Sequence, residues 1–479
     1  MVKVIGNTLY AANGNIVSAG LKATAQIVKC PLKNMDKSLP VFLRQSLQII
    51  RQSGSTEAEV TQTAFKTLAV LIRDCPSAQV KEKDLTFLLE LLAPDLEEVT
   101  RQATAFALLR AIVSKKFVVP EIYDLMVKIG EIMVTNQSTQ VQELCRSVLL
   151  QFLLDYPQGK GRLKQQIAFL VKNLSYVFET GRRSVMELLS AIIQKFNDNL
   201  IAEYADMLFV ALVMVVANDD AASCREMAAQ LIRQLVGRIQ EEQCQTVVSH
   251  VHTWASQHDN AALSRVSSQV YGLLLDALKE GASPYIQTLL DDVNAKLVNS
   301  ARELDDTSDE DEEPSNYQEQ WQIPYQALVV LSKVFLHFPD ILSQHDKVPW
   351  PSVVTLLLYP HAWVRAASCR LLGSLFAITP VDAPDSTLAE DFPLSLTGMR
   401  AVANALSLQL KGENLDEPLS LQIVKNLFYI GKCFYLVRSE SINKSGVPED
   451  EAEEDPDSED NEDEAELGGL DHDPLPWLF

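Results

Sequence analysis

The stretch Trp350–Leu375 reads WPSVVTLLLYPHAWVRAASCRLLGSL. An apolar, helix-forming run leads up to Tyr359–Pro360, and because proline cannot continue a helix, the first helix is predicted to end there. His361–Ala362 is then the turn, and a second apolar helix is predicted to begin with Trp363–Arg365. The stretch therefore predicts two helices joined by a tight turn.

The same helical periodicity recurs along the chain. In Val60–Ile72 (VTQTAFKTLAVLI) the apolar side chains recur at i, i+4 and i+8, which is one face of a helix. The start of each second helix is marked by an apolar residue followed four positions later by a small or apolar one. These marks are Val17/Leu21, Val60/Ala64, Val99/Ala103, Val141/Cys145, Val185/Leu189, Cys224/Ala228, Leu263/Ser267 and Val364/Ser368.

The spacing of these marks is about 40 residues, apart from one longer gap before Val364 that contains an acidic run. Such a period predicts an all-α fold, a HEAT/armadillo-type α-solenoid of antiparallel helix pairs. The small residues Ala64, Ala103, Ala228 and Ser368 are expected to let neighbouring helices approach closely. Generic helical packing without a true repeat is the alternative.

The acidic residues are concentrated in two segments. The 479 residues include 41 Lys+Arg and 64 Asp+Glu, a net charge of −23. Glu303–Glu313 holds eight acids and Glu449–Glu466 thirteen, so the remainder is close to neutral and a protein that coats nucleic acid nonspecifically is excluded. The predicted organisation is a solenoid over 1–302, an acidic disordered insertion over 303–319, the continued solenoid over 320–445 and an acidic disordered tail over 446–479.

Both acidic segments carry a further candidate site. Thr307 and Ser308 precede acids and are candidate phosphorylation sites for an acid-directed kinase. The second segment is followed by Leu475–Phe479 (LPWLF), which is either a short docking motif or an uninformative terminus. An inert, solubilising role is the alternative for both acidic runs.

Nothing in the sequence predicts catalysis. The motifs GxxxxGK[ST], GxGxxG, GxSxG and HExxH are missing, so no enzyme activity, cofactor or small-molecule substrate is expected. The seven cysteines are scattered without ligand spacing, and most of them are expected to be buried free thiols in a reducing compartment. His250, His252 and His258 are expected to be polar or capping residues rather than metal ligands.

No membrane association is expected. The most apolar stretch, Ala205–Ala217, is about 13 residues long, which is too short to cross a bilayer. The first thirty residues show no signal peptide.

A mildly basic stretch runs from Lys160 to Asp198. Turns of consecutive helix pairs align along one edge of a solenoid, so cations at such turns can meet phosphates. The candidate RNA or phosphate contacts, all expected at exposed turns, are Lys160, Arg162, Lys164, Arg182 and Arg183. Ordinary solvated surface is the alternative.

Particular stretches resemble the "down-regulated in metastasis" family, large HEAT-repeat scaffold proteins of the small-subunit processome. They are Val119–Gly130 (VPEIYDLMVKIG), Thr139–Lys164 (TQVQELCRSVLLQFLLDYPQGKGRLK) and Leu174–Ile193 (LSYVFETGRRSVMELLSAII). The loop Gln158–Arg162 is the most specific of these, and the resemblance extends from about Asn15 to Val437. The family is much longer and its end is rich in basic residues, so this chain resembles a portion toward the C-terminal side and departs from the family in its acidic tail.

The resemblance implies a function. It implies a protein without enzyme activity that associates with processome proteins, pre-ribosomal RNA and the box C/D small nucleolar ribonucleoprotein, in the nucleus and nucleolus. Only sixteen residues precede the first second-helix mark at Val17, so the chain is expected to be part of a longer solenoid, or a short product that starts inside one.

Two other binding classes stay open. A nuclear transport receptor is also an acidic HEAT solenoid with an internal acidic loop, although the basic stretch is unhelpful for gripping basic cargo. A phosphatase-type scaffold has more regular repeats and lacks long insertions.

Overall fold

The structure is a computed structural model, and it describes residues 2–30, 32, 35–159, 161–257, 260–306, 320–342, 344, 346–382, 388–411 and 415–445. Within these ranges the regular structure is helical throughout, with no strand. The chain divides into two compact units, Met1–Gln243 and Cys244–Phe479.

In the first unit the helices follow one another in pairs. Their bounds are α1 Val2–Thr8, α2 Gly14–Ile27, α3 Met35–Ser53, α4 Glu59–Asp74, α5 Glu82–Leu92, α6 Gln102–Ser114, α7 Pro120–Thr135, α8 Thr139–Asp155, α9 Arg162–Lys172, α10 Glu179–Lys195, α11 Asp198–Asn218 and α12 Ala222–Val236. The even-numbered helices α2 to α12 contact one another in sequence order, and α3, α7 and α11 each pack on the helix that follows. This is the solenoid predicted from the repeat.

The second unit has the same kind of arrangement. Its helices are α13 Glu241–Ala255, which spans the division, α14 Ala261–Leu278, α15 Ile286–Asp306, α16 Gln322–His337, α17 Trp350–Thr355, α18 Ala362–Ile378, α19 Leu396–Leu410 and α20 Glu417–Ser445. Again α14, α16, α18 and α20 form a row of successive contacts, with α15 on α16 and α19 on α20. The all-α solenoid prediction is confirmed.

Small residues lie where the even-numbered helices meet. Ala64, Ala228 and Ser368 are completely buried, as expected. Gly181 in α10 approaches α7 so closely that an added Cβ would lie 2.4 Å from the carbonyl oxygen of Val134. Close packing of helices, both within the row and between α10 and α7, therefore depends on small residues.

The predicted register of the third pair is wrong. Val99 is 79% exposed, Ala103 is exposed, and α6 begins only at Gln102. A 3₁₀ turn follows Pro94, and the chain stays irregular until Arg101, whose Nε donates to Asp95 Oδ1 at 2.8 Å. The helix therefore begins later than the apolar spacing indicated.

A recurring hydrogen bond holds the turn inside five helix pairs. A side chain near the start of the second helix donates to the main-chain carbonyl oxygen six residues earlier, just after the first helix or in the turn that follows it. The donors are Gln62, Gln142, Arg182, Arg225 and Arg365, and the acceptors are Thr56, Asn136, Tyr176, Asp219 and Tyr359, at 2.6 to 2.9 Å. We call this bond the turn clamp; it satisfies carbonyl groups that the turn leaves without a helical partner.

Helix α11 is longer than the apolar stretch expected from the sequence. By length and composition it is the one described helix able to cross a membrane, and half of its most apolar window is buried. Leu208, Phe209 and Leu212 lie in the core, and α11 packs against α12. A core helix passes the same test of length and composition.

The predicted acidic segments fall largely outside the described residues. Helix α15 runs to Asp306, a few residues into the predicted insertion, and α20 runs to Ser445. Residues 307–319 and 446–479, with Thr307 and Ser308, lie outside the described ranges, so disorder and phosphorylation there stay predictions.

Candidate nucleic-acid interface

Aromatic hydroxyls hold the loop between α8 and α9. Tyr156 Oη donates to the carbonyl oxygen of Phe117 at 2.8 Å, and Tyr123 Oη donates to that of Pro157 at 2.7 Å. Burial raises the pKa of Tyr156 to about 12, so its hydroxyl stays protonated and can donate. The loop ends at Gly161, whose φ of +90° favours glycine. The start of α9 is thus fixed in place.

Arg162 lies over an aromatic ring. Its guanidinium carbon lies 3.9 Å from the centroid of the Tyr123 ring, beside a groove of about 290 Å³ that Gln158 and Gln165 also line. Both Arg162 and Lys164, two residues further along α9, are exposed. A cation–π contact orients a guanidinium without using its N–H donors, so Arg162 keeps donors for a phosphate. Lys160 lies outside the described residues.

Arg182 is not at an exposed turn, which corrects the sequence-based expectation. It is 7% exposed, and its Nε and Nη2 each donate to the Asp219 carboxylate at 2.8 Å. Nη2 also donates to Asp220 Oδ1, while Nη1 donates to the carbonyl oxygens of Tyr176 and Val177. These five contacts occupy the five N–H groups of the guanidinium, so Arg182 has none left for a phosphate.

The ion pair explains why Arg182 is buried. Asp219 and Asp220 follow α11, so the contact joins one helix pair to the next. Burial by itself would raise the pKa of Asp219, but the hydrogen bonds and charge of Arg182 hold it below its usual value. Both groups therefore stay charged, and the contact is structural.

Arg183 is exposed and only weakly paired. Its Nη1 lies 3.9 Å from Glu179 Oε1 at the surface of α10. Arg162 and Lys164 lie at the start of α9 and Arg183 at the start of α10, and an eleven-residue helix such as α9 is about 16 Å long. Since paired helices run antiparallel, the two groups lie at opposite edges and do not form one cluster.

Exposed lysines lie at earlier turns along the same edge of the solenoid as Arg162, and the sequence analysis did not predict them. Lys116 follows α6, and Lys81 and Lys83 lie at the start of α5; all three are exposed. Turns between successive pairs align along one edge of a solenoid, and the repeat period of about 40 residues would have found them. We call Lys81, Lys83, Lys116, Arg162 and Lys164 the basic edge.

The other polar candidates are structural. In the described ranges no group of three or more His, Cys, Asp or Glu could hold a metal ion. His252 Nδ1 lies 3.0 Å from the carboxylate of Asp292, and His250 stacks on Trp254; His258 is outside the described residues. Six of the seven cysteines are buried and Cys30 is exposed; all seven are free.

Solved structures with similar folds are distant in sequence. The karyopherin Kap121p bound to the SUMO protease Ulp1p is 13% identical and covers 93% of this chain and 46% of that chain, with a TM-score of 0.46. An engineered protein is 14% identical and covers 90% of this chain and 98% of that chain, with a TM-score of 0.34. Scores this low support no conclusion about function.

Two curated proteins are much more similar in sequence, although no protein-family model matches the chain. U3 small nucleolar RNA-associated protein 20 of Schizosaccharomyces pombe is 34% identical over 444 residues, which is 91% of this chain and 17% of that protein. The protein of the same name from Saccharomyces cerevisiae is 33% identical over 434 residues, 90% of this chain and 16% of that protein. The chain spans about a sixth of the length of these relatives. Over nine tenths of its length, this chain is therefore homologous to a portion of U3 small nucleolar RNA-associated protein 20.

Proposed function

We propose that this chain is a non-catalytic scaffold in small-subunit ribosome biogenesis. It binds processome proteins and pre-ribosomal RNA during processing to the small-subunit RNA, and meets the box C/D small nucleolar ribonucleoprotein directly or through those proteins. It acts in the nucleolus, within the nucleus. The observation that carries the proposal is the 33–34% identity, over about nine tenths of the chain, to two proteins named for association with the U3 small nucleolar RNA.

The described surface suits a scaffold better than an enzyme. Repetition of one helix-pair unit along the solenoid gives many similar turns and faces, and each of them can bind a different partner. Within the described ranges the candidate polar residues are either used structurally, as Arg182 is, or spread along an edge, as Arg162 and Lys164 are. Neither arrangement gathers groups around a substrate.

RNA contact is proposed at the basic edge. Its five cations lie at three successive turns between helix pairs, and they carry no information about base sequence, so they fit the phosphate backbone. Arg162 is the best placed, because its contact with the Tyr123 ring holds the guanidinium at the start of α9. If all five meet phosphates of single-stranded RNA, log Kd should rise with log salt with a slope of about 3.5.

The test uses two double variants of equal charge change. Arg162→Glu with Lys164→Glu alters the basic edge, whereas Arg44→Glu with Lys66→Glu alters exposed cations in α3 and α4. Each tagged chain is expressed in cells and purified gently, and its bound RNA and proteins are identified. The first variant should recover at least about tenfold less pre-ribosomal RNA than the second, with both keeping the helical circular dichroism of the parent.

Other recoveries would contradict the proposal. Equal RNA recovery from both variants would rule out the basic edge as the RNA contact. A Ran-type GTPase with basic cargo, in place of processome proteins, would favour a nuclear transport receptor, and co-purified phosphatase activity would favour a phosphatase scaffold.

A further inference from the structure

Helix α20 carries an apolar stripe on its exposed side. Leu421, Val424, Phe428 and Tyr435 are 53% to 64% exposed. Their spacing, with Gly431 between the last two, alternates three and four residues, which is the seam that one helix presents to a partner helix. We call these five positions the α20 stripe.

The opposite side of α20 is already occupied. Ile423, Ile430, Cys433 and Phe434 are completely buried, and α20 packs on α18 and α19. The α20 stripe therefore faces away from the described helices. A continuous apolar strip of this kind on a surface marks a place where something binds.

The shape of the α20 stripe suits a bulky side chain. A Cβ built on Gly431 meets no atom within 4 Å, so the glycine leaves an open gap between Phe428 and Tyr435. In a helical seam, a gap between side chains is the hole that receives a side chain of the partner. A ring is the natural occupant, because aromatic pairs add to the free energy of apolar burial.

The lysines beside the α20 stripe indicate what kind of segment binds there. Lys432 Nζ lies 4.4 Å from the centroid of the Phe428 ring, and Lys425 is exposed beside the stripe. The chain continues beyond α20 with the thirteen acids of Glu449–Glu466, followed by Leu475–Phe479. An apolar segment attached to an acidic tether therefore complements an apolar strip flanked by lysines.

The same order of features occurs once already within the chain. Helix α15 ends within the acidic run Glu303–Glu313, and Trp321 follows that run, directly before α16. Helix α16 packs directly on α15. Helix α20 is likewise followed by acids and then by Trp477.

The tether is long enough. About thirty residues separate Ser445 from Leu475, and thirty residues can reach at most about 100 Å. The distance from the end of α20 back to Tyr435 is about 15 Å, and back to Leu421 about 36 Å. Tethering at such distances gives an effective concentration of about a millimolar, enough for a short apolar segment to bind.

We propose that Leu475–Phe479 docks on the α20 stripe, with Trp477 in the gap at Gly431. The acidic tether then passes close to Lys425 and Lys432. This site is independent of RNA binding at the basic edge and lies in the other unit of the chain.

The test is photocrosslinking of the full chain. Trp477 is replaced by benzoylphenylalanine, the dilute protein is illuminated, and the crosslinked peptides are identified by mass spectrometry. The expected products are intramolecular and map to residues 421–435. Adding Phe428→Asp should lower their yield by about tenfold, while the matched control Leu336→Asp, at a 75% exposed leucine of α16, should leave it unchanged.

Several outcomes would overturn the proposal. Crosslinks spread over the chain, or equally reduced by both Asp variants, would show that the segment has no site on α20. Crosslinks between molecules that increase with protein concentration would assign the α20 stripe to a second copy. Since Phe428 is exposed, each variant should keep the parent's circular dichroism, and hydrogen exchange of residues 421–435 should become faster only in Phe428→Asp.

Discussion

Two buried cations, one in each unit, are held by different kinds of partner. In the first unit Arg182 meets the carboxylates of Asp219 and Asp220. In the second unit Lys296 is 3% exposed, and its Nζ donates to three uncharged oxygens. These are the carbonyl oxygen of Ser264 and the hydroxyls of Ser267 and Ser268, at 2.7 to 2.8 Å.

The difference shows in the pKa values. Burial lowers the pKa of Lys296 to about 8, and the charge of Asp292 offsets only part of this effect. Burial also acts to lower the pKa of Arg182, but the hydrogen bonds and charge of Asp219 more than reverse it, so its pKa is raised. A carboxylate partner thus keeps a buried cation charged, whereas uncharged oxygen partners leave the charge dependent on pH.

The largest loss of stability is expected when Asp219, the carboxylate partner of Arg182, is removed. Asp219→Ala leaves Arg182 buried without its bidentate partner and should lower the free energy of unfolding by about 3 to 5 kcal/mol. Urea denaturation followed by circular dichroism measures the loss. Asp220→Ala is the matched control: Asp220 is 90% exposed, so its loss should cost less than about 1 kcal/mol. Equal losses would mean that Asp219 does not neutralise Arg182.

The second-largest effect is a pH-dependent change in the free energy of unfolding, and it tests the role of the uncharged partners of Lys296. The folded pKa of Lys296 lies below the value of 10.5 for an unperturbed lysine, so the unfolded chain binds more protons between pH 8 and 10.5. The free energy of unfolding of the parent should therefore rise across this window relative to Lys296→Met, by about 3 kcal/mol in all. Urea titrations of both proteins at several pH values measure the difference. A difference that stays constant with pH would contradict the lowered pKa.

The smallest effect is expected at the exposed neighbour of Arg182. Arg183→Ala removes a surface pair whose closest atoms are 3.9 Å apart and should change the free energy of unfolding by less than about 0.5 kcal/mol. The same urea titration measures it, at low and at high salt. A loss comparable with that of Asp219→Ala would show that exposure does not separate these adjacent arginines.

The sequence predicts the helix pairs well because their signals are local. In Trp350–Leu375 the predicted turn at His361–Ala362 lies within one residue of the observed start of α18 at Ala362. Proline and apolar spacing act over a few residues, and both are visible in one pair. The register of the third pair failed because a local ion pair, between Asp95 and Arg101, delays the helix.

The candidate site was harder to predict because burial is decided elsewhere in the chain. Arg182 and Arg183 are identical neighbours in sequence, yet only Arg182 faces Asp219, about one repeat further along. Two clues were present in the sequence. The first is that Arg182 lies about one repeat period before Asp219 and Asp220. The second is that Arg182, like Arg225 and Arg365, lies near the start of the second helix of its pair, six residues after a carbonyl group that follows the first helix.

The turn clamp has a mechanical consequence. Because the second helix of a clamped pair is hydrogen-bonded to a carbonyl of the turn that precedes it, a turn with a clamp should resist a pulling force more than a turn without one. Stretched by its ends, the chain should lengthen in discrete releases of about 40 residues, each adding on the order of 130 Å of extended chain. Pairs with an arginine clamp should yield at higher force than those with a glutamine clamp, because a charged donor forms the stronger hydrogen bond.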